Sequence, residues 1–391
     1  MIHAMKLQWP DSIDVDIFLS DYWQKKPLLI RQAFPALEKL ITPDELAGLA
    51  CEADIESRLI YENVGAHQWQ LEHGPLPEQR FAGLPESHWT LLVQDIDKHL
   101  PEFAEWLEHF NFVPEWRIDD IMISYAADQG SVGPHTDSYD VFLLQLEGTR
   151  RWQISDRQYR QDDLLENSYL KIIRDFDCSD EWLLQPGDML YLPPDVGHWG
   201  IAEGPCITAS VGFNSPSLGD LFDAFTEQLL QKNQAGQRYH DPDIRRPEDI
   251  CRFDDSTLCN VKDMLQAAIA RHDSSDIATW FGCLISRGKP HLGIETAPQP
   301  IHVDQLQQRL RSDNALARHP WLKLVYHSTS QQLTLFARGE TFNLDIHLKP
   351  LVQQLCHQRS YRFDPNWIDD PQALALLTDL YNHGYLIDDE D

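Results

Sequence analysis

The stretch "GPHTDSYDVFLLQ", residues 133–145, decides how the chain is read. Taken as a strand entered through a Gly133-Pro134 turn, its two-residue period puts His135, Asp137 and Tyr139 on one face. An imidazole and a carboxylate two residues apart can occupy adjacent positions on one metal ion. A second histidine from another strand would complete a facial triad of two histidines and one carboxylate, typical of non-haem iron(II), with positions left open for substrate and oxygen. His198 is the expected third ligand, because it follows "PGDMLYLPP" (186–194), where a strand ends at a rigid Pro-Pro turn. The competing reading makes these three groups a hydrogen-bonded polar interior.

A His-x-Asp pair is a short pattern, and with 17 histidines in an Asp-rich chain about one match arises by chance. His302 and Asp304 form such a match. There Asp304 heads an amphipathic helix and is expected to be its N-cap, with His302 in a loop. The pair at 135 and 137 differs in running into an apolar strand and in having the Pro-Pro-x-x-x-His sequence downstream.

Working outward, "RIDDIMISYA" (117–126), "SYDVFLLQLE" (138–147), "RRWQIS" (150–155), "DMLYLP" (188–193) and "CITASVGF" (206–213) read as strands. Short strands at this spacing predict a sandwich or barrel. A metal with open positions and no redox cofactor needs two electrons, and a 2-oxo acid co-substrate can supply them by oxidative decarboxylation. Its distal carboxylate needs a cation. After a turn at Glu147-Gly148, Arg150 shares parity with Trp152 and Ile154 and should point inward, where a guanidinium matches a carboxylate in bidentate fashion. The alternative is a structural ion pair between Arg150 and an Asp or Glu. Ser124 could donate a hydroxyl to the same co-substrate carboxylate, or be an ordinary satisfied buried serine.

The 62 acidic residues against 32 basic give a formal charge of −30, so direct binding to nucleic acid is not expected and a basic partner is. Seven cysteines without a Cys-x-x-Cys pair suggest neither a disulfide framework nor a cysteine zinc site. Pro10 and Asp11 interrupt the start of the chain, and no run of 18 apolar residues occurs. A cytoplasmic protein without membrane contact is expected.

The chain divides on pattern into three parts. Residues 1–215 carry the strands, and include "TPDELAGLACEA" (42–53), a helix with Thr42 as N-cap, Pro43 at the first helical position and Glu45 three residues after the cap. Residues 216–290 read as a helical module, with Leu218, Phe222, Phe225 and Leu229 on one helix face. Residues 291–391 read as a helix, two strands "LKLVYH" and "QLTLFA", and two helices, an order resembling a winged helix. With eight basic against twelve acidic residues in 301–391, a protein-contact or structural role is favoured there over DNA binding.

"FLSDYWQKKPLLIRQAF" (18–34), "DELAGLA" (44–50), "WRIDDIMISY", "VGPHTDSYDVFLLQ", "GTRRWQI", "PGDMLYLPPDVGHWG" and "SVGF" together resemble the JmjC-type bacterial ribosomal oxygenases of the cupin superfamily. The resemblance implies mixed α and β architecture: a double-stranded β-helix barrel, a helical module that forms a homodimer, and a winged-helix-like end. It implies iron(II) at His135, Asp137 and His198, with 2-oxoglutarate held through Arg150 near Ser124 and molecular oxygen as second co-substrate. The implied reaction is hydroxylation at C3 of an arginine in the sixteenth large-subunit ribosomal protein, a basic partner. Asp120, Met122, Tyr139 and Ser210 would line the arginine pocket; from the residues alone, a pair between Asp120 and Arg117 is the simpler reading. Competing functions are a cupin metalloenzyme acting on a small molecule with Mn or Zn, a scaffold retaining a relic barrel, and an oxygenase acting on histidine.

Overall fold

A computed structural model describes residues 6–35, 37, 39–63, 68–166, 170–232, 236–242, 244–246, 248–312 and 315–388. The chain forms two compact units, Met1–Ser215 and Pro216–Asp391. In the first, nine strands make one antiparallel sheet: β1 (Leu28–Ile30), β2 (Ser57–Asn63), β3 (Gln68–His73), β4 (Trp89–Val93), β5 (Ile118–Ala126), β6 (Val141–Ser155), β7 (Asp180–Leu184), β8 (Met189–Leu192) and β9 (Gly197–Phe213). Their order is β1-β8-β6-β9-β5-β4-β2-β3, with β7 also paired to β6. This is the expected double-stranded β-helix barrel. The chain enters it past the helix Pro43–Leu49, where Thr42 and Glu45 close the expected capping box.

Two long strands carry the barrel. β6 alternates as its sequence requires: Phe142 and Leu144 join an aromatic-rich core with Phe18, Phe110, Tyr191 and Phe213, while Val141 and Leu143 face a second cluster with Trp152, Ile154 and Leu192. The expected turn at Glu147-Gly148 is not a turn. The strand runs on through it with register shifts between Gln145 and Thr149, and Gly148 takes φ +68°. Glycine is required there because a Cβ would lie 2.2 Å from the Pro205 carbonyl oxygen. A bulge of this kind bends the strand while leaving its two faces defined.

The segment 133–140 also departs from expectation, being irregular rather than strand. One bridge between His135 and His198 is its only ladder contact among the described residues. It is held from behind by Asp140, which is fully buried and accepts from Tyr191 Oη at 2.6 Å, Gln24 Nε2 at 2.9 Å and Arg117 Nη2 at 3.1 Å. Arg117 is thus engaged by Asp140 rather than Asp120.

The second unit begins with the helices Leu218–Gln231, Asp255–Ala270 and Ser274–Ser286. Phe225 turns inward against His272 and Trp280, whereas Leu218, Phe222, Leu258, Val261, Leu265 and Ile269 are exposed. Beyond them the expected helix–strand–strand–helix–helix order is enriched to two three-stranded sheets. The strand Glu340–Leu344 escaped the sequence reading because it is a short, largely exposed edge with only Phe342 and Leu344 packed against the core; it is joined to Leu333–Ala337 by Arg338-Gly339, both at positive φ. The helix Val303–Arg311 starts two residues earlier than an N-cap at Asp304 implies. His302, not Asp304, is its N-cap, and its N–H donates to Gln305 Oε1 at 2.8 Å. No helix among the described residues is long and apolar enough to cross a membrane.

Replacing Gly148 by alanine should strain the bend and cost of order 1–3 kcal/mol. Urea unfolding followed by tryptophan fluorescence should show a lower midpoint for Gly148→Ala; an unchanged midpoint would contradict the strain assigned to this position.

Candidate functional site: a metal centre beside a buried arginine

The site begins with backbone. His135 N–H donates to His198 O at 3.0 Å, and His198 N–H donates back to His135 O at 2.9 Å. This reciprocal pair sets the two imidazoles side by side, with ring centroids 4.3 Å apart. Each Nδ1 is also fixed, lying 2.9 Å from a carbonyl oxygen, that of Gly133 for His135 and that of Val196 for His198. A carbonyl can only accept, so both Nδ1 atoms carry a proton and Nε2 is the nitrogen each ring has left for a metal. The Nε2 atoms face Asp137, at 3.8 Å from Oδ1 for His135 and 3.5 Å from Oδ2 for His198. Asp137 is steadied by its own carbonyl, which accepts from Asp195 N–H in the turn preceding β9.

The three donor atoms lie within 4.8 Å of one another, the arrangement a single ion would bridge. Burial, with the neighbouring His135, holds His198 down to about 4, so its ring is neutral at neutral pH and able to ligate. Two imidazoles and one carboxylate, without a thiolate, suit a facial site for a divalent transition metal.

Behind the triad lies Arg150. It projects inward from β6 as its parity predicts and is 3% exposed. Its contacts are neutral and long: Nη1 to Ser124 Oγ at 3.2 Å and Thr208 Oγ1 at 3.4 Å, and Nη2 to Gly200 O at 3.4 Å. Nε has no hydrogen-bond partner. The guanidinium carbon stands 5.0 Å from the Trp152 ring centre. Among the described residues no carboxylate pairs with Arg150, so the structural ion pair weighed above is absent. Burial lowers the stability of its charge, opposed only in part by the nearby Cys206 thiol and by no carboxylate.

Triad and arginine open into one cavity of about 440 Å³. Asp120, Met122 and Ser124 reach it from one face of β5, as the strand period predicts, and Ser210 reaches it from β9 in register with Met122. Tyr139 stands at its rim, 42% exposed, its hydroxyl held above the usual tyrosine range chiefly by the Asp137 carboxylate. Every sequence-predicted site residue therefore meets at this cavity.

Sequence reading missed several others. Thr208 shares the parity of Ser210 in "CITASVGF", a signal that was available. Its hydroxyl donates to Gln145 Oε1 at 3.1 Å, tying it to β6. Leu170, Lys171 and Ile172 add a wall from the segment between β6 and β7, where Ile173 N–H donates to Pro134 O at 2.8 Å. No local pattern announces that long-range docking.

Barrel, triad and cavity define a JmjC-domain protein: residues 105–221 match the JmjC domain family, and residues 269–387 match the ROXA-like winged helix family. Over 98% of its length the chain is 32% identical to the ribosomal protein uL16 3-hydroxylase of Escherichia coli strain K12, covering 99% of that protein. It is also 32% identical to a probable ribosomal oxygenase of Haemophilus influenzae, over 95% of this chain and 90% of the relative. A solved structure of the E. coli ribosomal oxygenase YcfD in complex with cobalt and 2-oxoglutarate matches with a TM-score of 0.82 at 30% identity, covering 99% of this chain and all of that one. The chain belongs to the JmjC-type ribosomal oxygenases.

A buried cation without an anion should destabilise the ligand-free protein. Arg150→Met, which keeps the apolar stem and removes the charge, should raise unfolding stability by roughly 1 kcal/mol or more. Calorimetry without ligand checks this; a clear loss of stability would mean that Arg150 is structurally satisfied as it stands.

Proposed function

We propose that the chain is an iron(II)- and 2-oxoglutarate-dependent oxygenase that hydroxylates C3 of an arginine side chain in uL16, the sixteenth large-subunit ribosomal protein. The observation that carries this reading is the buried Arg150, which lacks a carboxylate partner and shares a cavity with three converging metal donors. A small-molecule cupin enzyme that uses no 2-oxo acid has no need of such a cation.

In this reading His135 and His198 ligate through Nε2 and Asp137 through its carboxylate, with both rings pre-set by their Nδ1 contacts. Arg150 receives the distal carboxylate of 2-oxoglutarate, and the hydroxyls of Ser124 and Thr208 stand within reach of the same guanidinium to complete the seat. When bound, iron(II) and 2-oxoglutarate supply the chemistry: O2 and the 2-oxo acid yield succinate and CO2, and one oxygen atom enters the target C–H bond.

The chain's own contribution is to position the target. Asp120 faces the guanidinium of the substrate arginine, Tyr139 and Met122 flank its aliphatic stem, and Ser210 lies beside them on β9. A buried carboxylate suits arginine better than the histidine alternative. The formal charge of −30 favours the approach of a basic ribosomal protein, in keeping with the expected cytoplasmic setting.

The exposed apolar residues of Leu218–Gln231 and Asp255–Ala270 support a homodimer formed through residues 216–290, with 1–215 as the catalytic part and 291–391 as the winged-helix part. Light scattering at micromolar concentration should give twice the chain mass. A monomeric mass would remove the role assigned to those helices.

The function is tested by incubating the protein with iron(II), 2-oxoglutarate and recombinant uL16 in air. Mass spectrometry should find one added oxygen on an arginine. Asp137→Ala should abolish the gain without unfolding the protein, and Arg150→Ala should raise the 2-oxoglutarate requirement by about 100-fold, the cost of a charge-assisted bidentate contact. Full activity of Asp137→Ala, or unchanged co-substrate dependence of Arg150→Ala, would contradict the assignment.

A further inference from the structure

Gln94 follows β4, and its side chain bridges two charged groups on neighbouring strands. Arg58 Nη2, from β2, donates to Gln94 Oε1 at 2.8 Å, and Gln94 Nε2 donates to Asp120 Oδ2, on β5, at 2.9 Å. A carboxamide has one accepting end and one donating end, and a guanidinium can only donate. Arg58 therefore dictates which way the amide lies, and its NH2 must face Asp120.

The main-chain N–H of Asp95 reaches the same Oδ2 at 3.3 Å. Two donors on Oδ2 fix the rotation of the Asp120 carboxylate. Its other oxygen lies toward Gly212, where a Cβ would stand 3.3 Å from Asp120 Oδ1 and 3.8 Å from Tyr139 Cε2. Because residue 212 has no side chain, a slot stays open between the carboxylate and the Tyr139 ring. Arg58, Gln94, Asp120, Tyr139 and Gly212 all line the cavity that holds the triad.

We propose that Gln94, oriented by Arg58, is a positioning residue for substrate specificity: it turns Asp120 Oδ1 toward the slot above Gly212, where a planar cationic side chain of the protein substrate is received. This rests on the reading of Asp120 as the substrate's partner. The network has a direction. Arg58 sets the amide, the amide sets the carboxylate, and the carboxylate meets the guanidinium. A residue that merely braced β2, β4 and β5 would affect stability without affecting affinity for one class of side chain.

The test compares Gln94→Glu, Gln94→Leu and Asp120→Ala in the full chain, measuring the Kd for recombinant uL16, the Kd for 2-oxoglutarate and the Tm. Glutamate nearly matches glutamine in shape and replaces the donor by a carboxylate oxygen that repels Asp120 Oδ2, so it keeps the question answerable if the leucine variant folds poorly. Both Gln94 variants should weaken uL16 binding about 10-fold or more, the scale expected for loss of a hydrogen bond to a charged group. Binding of 2-oxoglutarate should stay within twofold of the unsubstituted protein. In an Asp120→Ala background, Gln94→Leu should add nothing, because it acts through that carboxylate. If Asp120→Ala weakens uL16 binding while both Gln94 variants bind normally, the positioning role is overturned and the Asp120 reading survives. If Asp120→Ala also binds normally, both are overturned.

Discussion

Burying a guanidinium costs several kcal/mol unless an anion sits against it, and Arg150 is buried with only neutral, long contacts around it. The barrel is built so that this cost persists. β6 carries Arg150 inward beside Trp152, on the face that also carries Ile154, and the bend at Gly148 lets the strand pass from one pairing environment to the next without losing that face. Ser124, Thr208 and Gly200 converge from two other strands, close enough to orient the cation and too neutral to discharge it. A carboxylate arriving from solution would find donors already aligned, which is the physical meaning of a preorganised site.

The metal donors obey a second constraint, set in the main chain. His135 lies on an irregular segment and His198 near the start of a strand, and their exchanged backbone bonds set one ring beside the other. The Nδ1 contacts then leave only Nε2 available to each. Asp140 fixes the end of the same segment from the core side, so Tyr139, its neighbour, emerges at the cavity rim while Asp140 itself is sealed away. Two aspartates three residues apart thus divide the work: Asp137 reaches toward the metal site and Asp140 toward the core.

Much of this was legible in the sequence because it depends on strand parity. Period-two alternation placed Asp120, Met122 and Ser124 on one face and turned Arg150 inward, and both placements hold. Parity also carried Thr208, which went unread. What parity cannot supply is the backbone path. The segment 133–140 looked like strand because His135, Asp137 and Tyr139 alternate, yet their convergence comes from a single bridge to a residue 63 positions away. Glu147-Gly148 looked like a turn, since glycine at positive φ serves turns and bulges alike. Glu340–Leu344 gave only a weak signal, because a five-residue edge strand with two apolar side chains, Phe342 and Leu344, is too short for alternation to stand out. The relay through Gln94 depends on three strands brought side by side, which no stretch of sequence contains.

The account stands on the claim that Arg150 awaits a carboxylate while the triad awaits a metal, and that one ligand spans both. A crystal structure of the protein grown without oxygen, with iron(II) and 2-oxoglutarate, tests this most directly. The account predicts metal density bounded by His135 Nε2, Asp137 and His198 Nε2, with the 2-oxo acid reaching from that metal to a bidentate contact on the Arg150 guanidinium. Metal bound elsewhere, or a distal carboxylate that leaves Arg150 without an anionic partner, would contradict it.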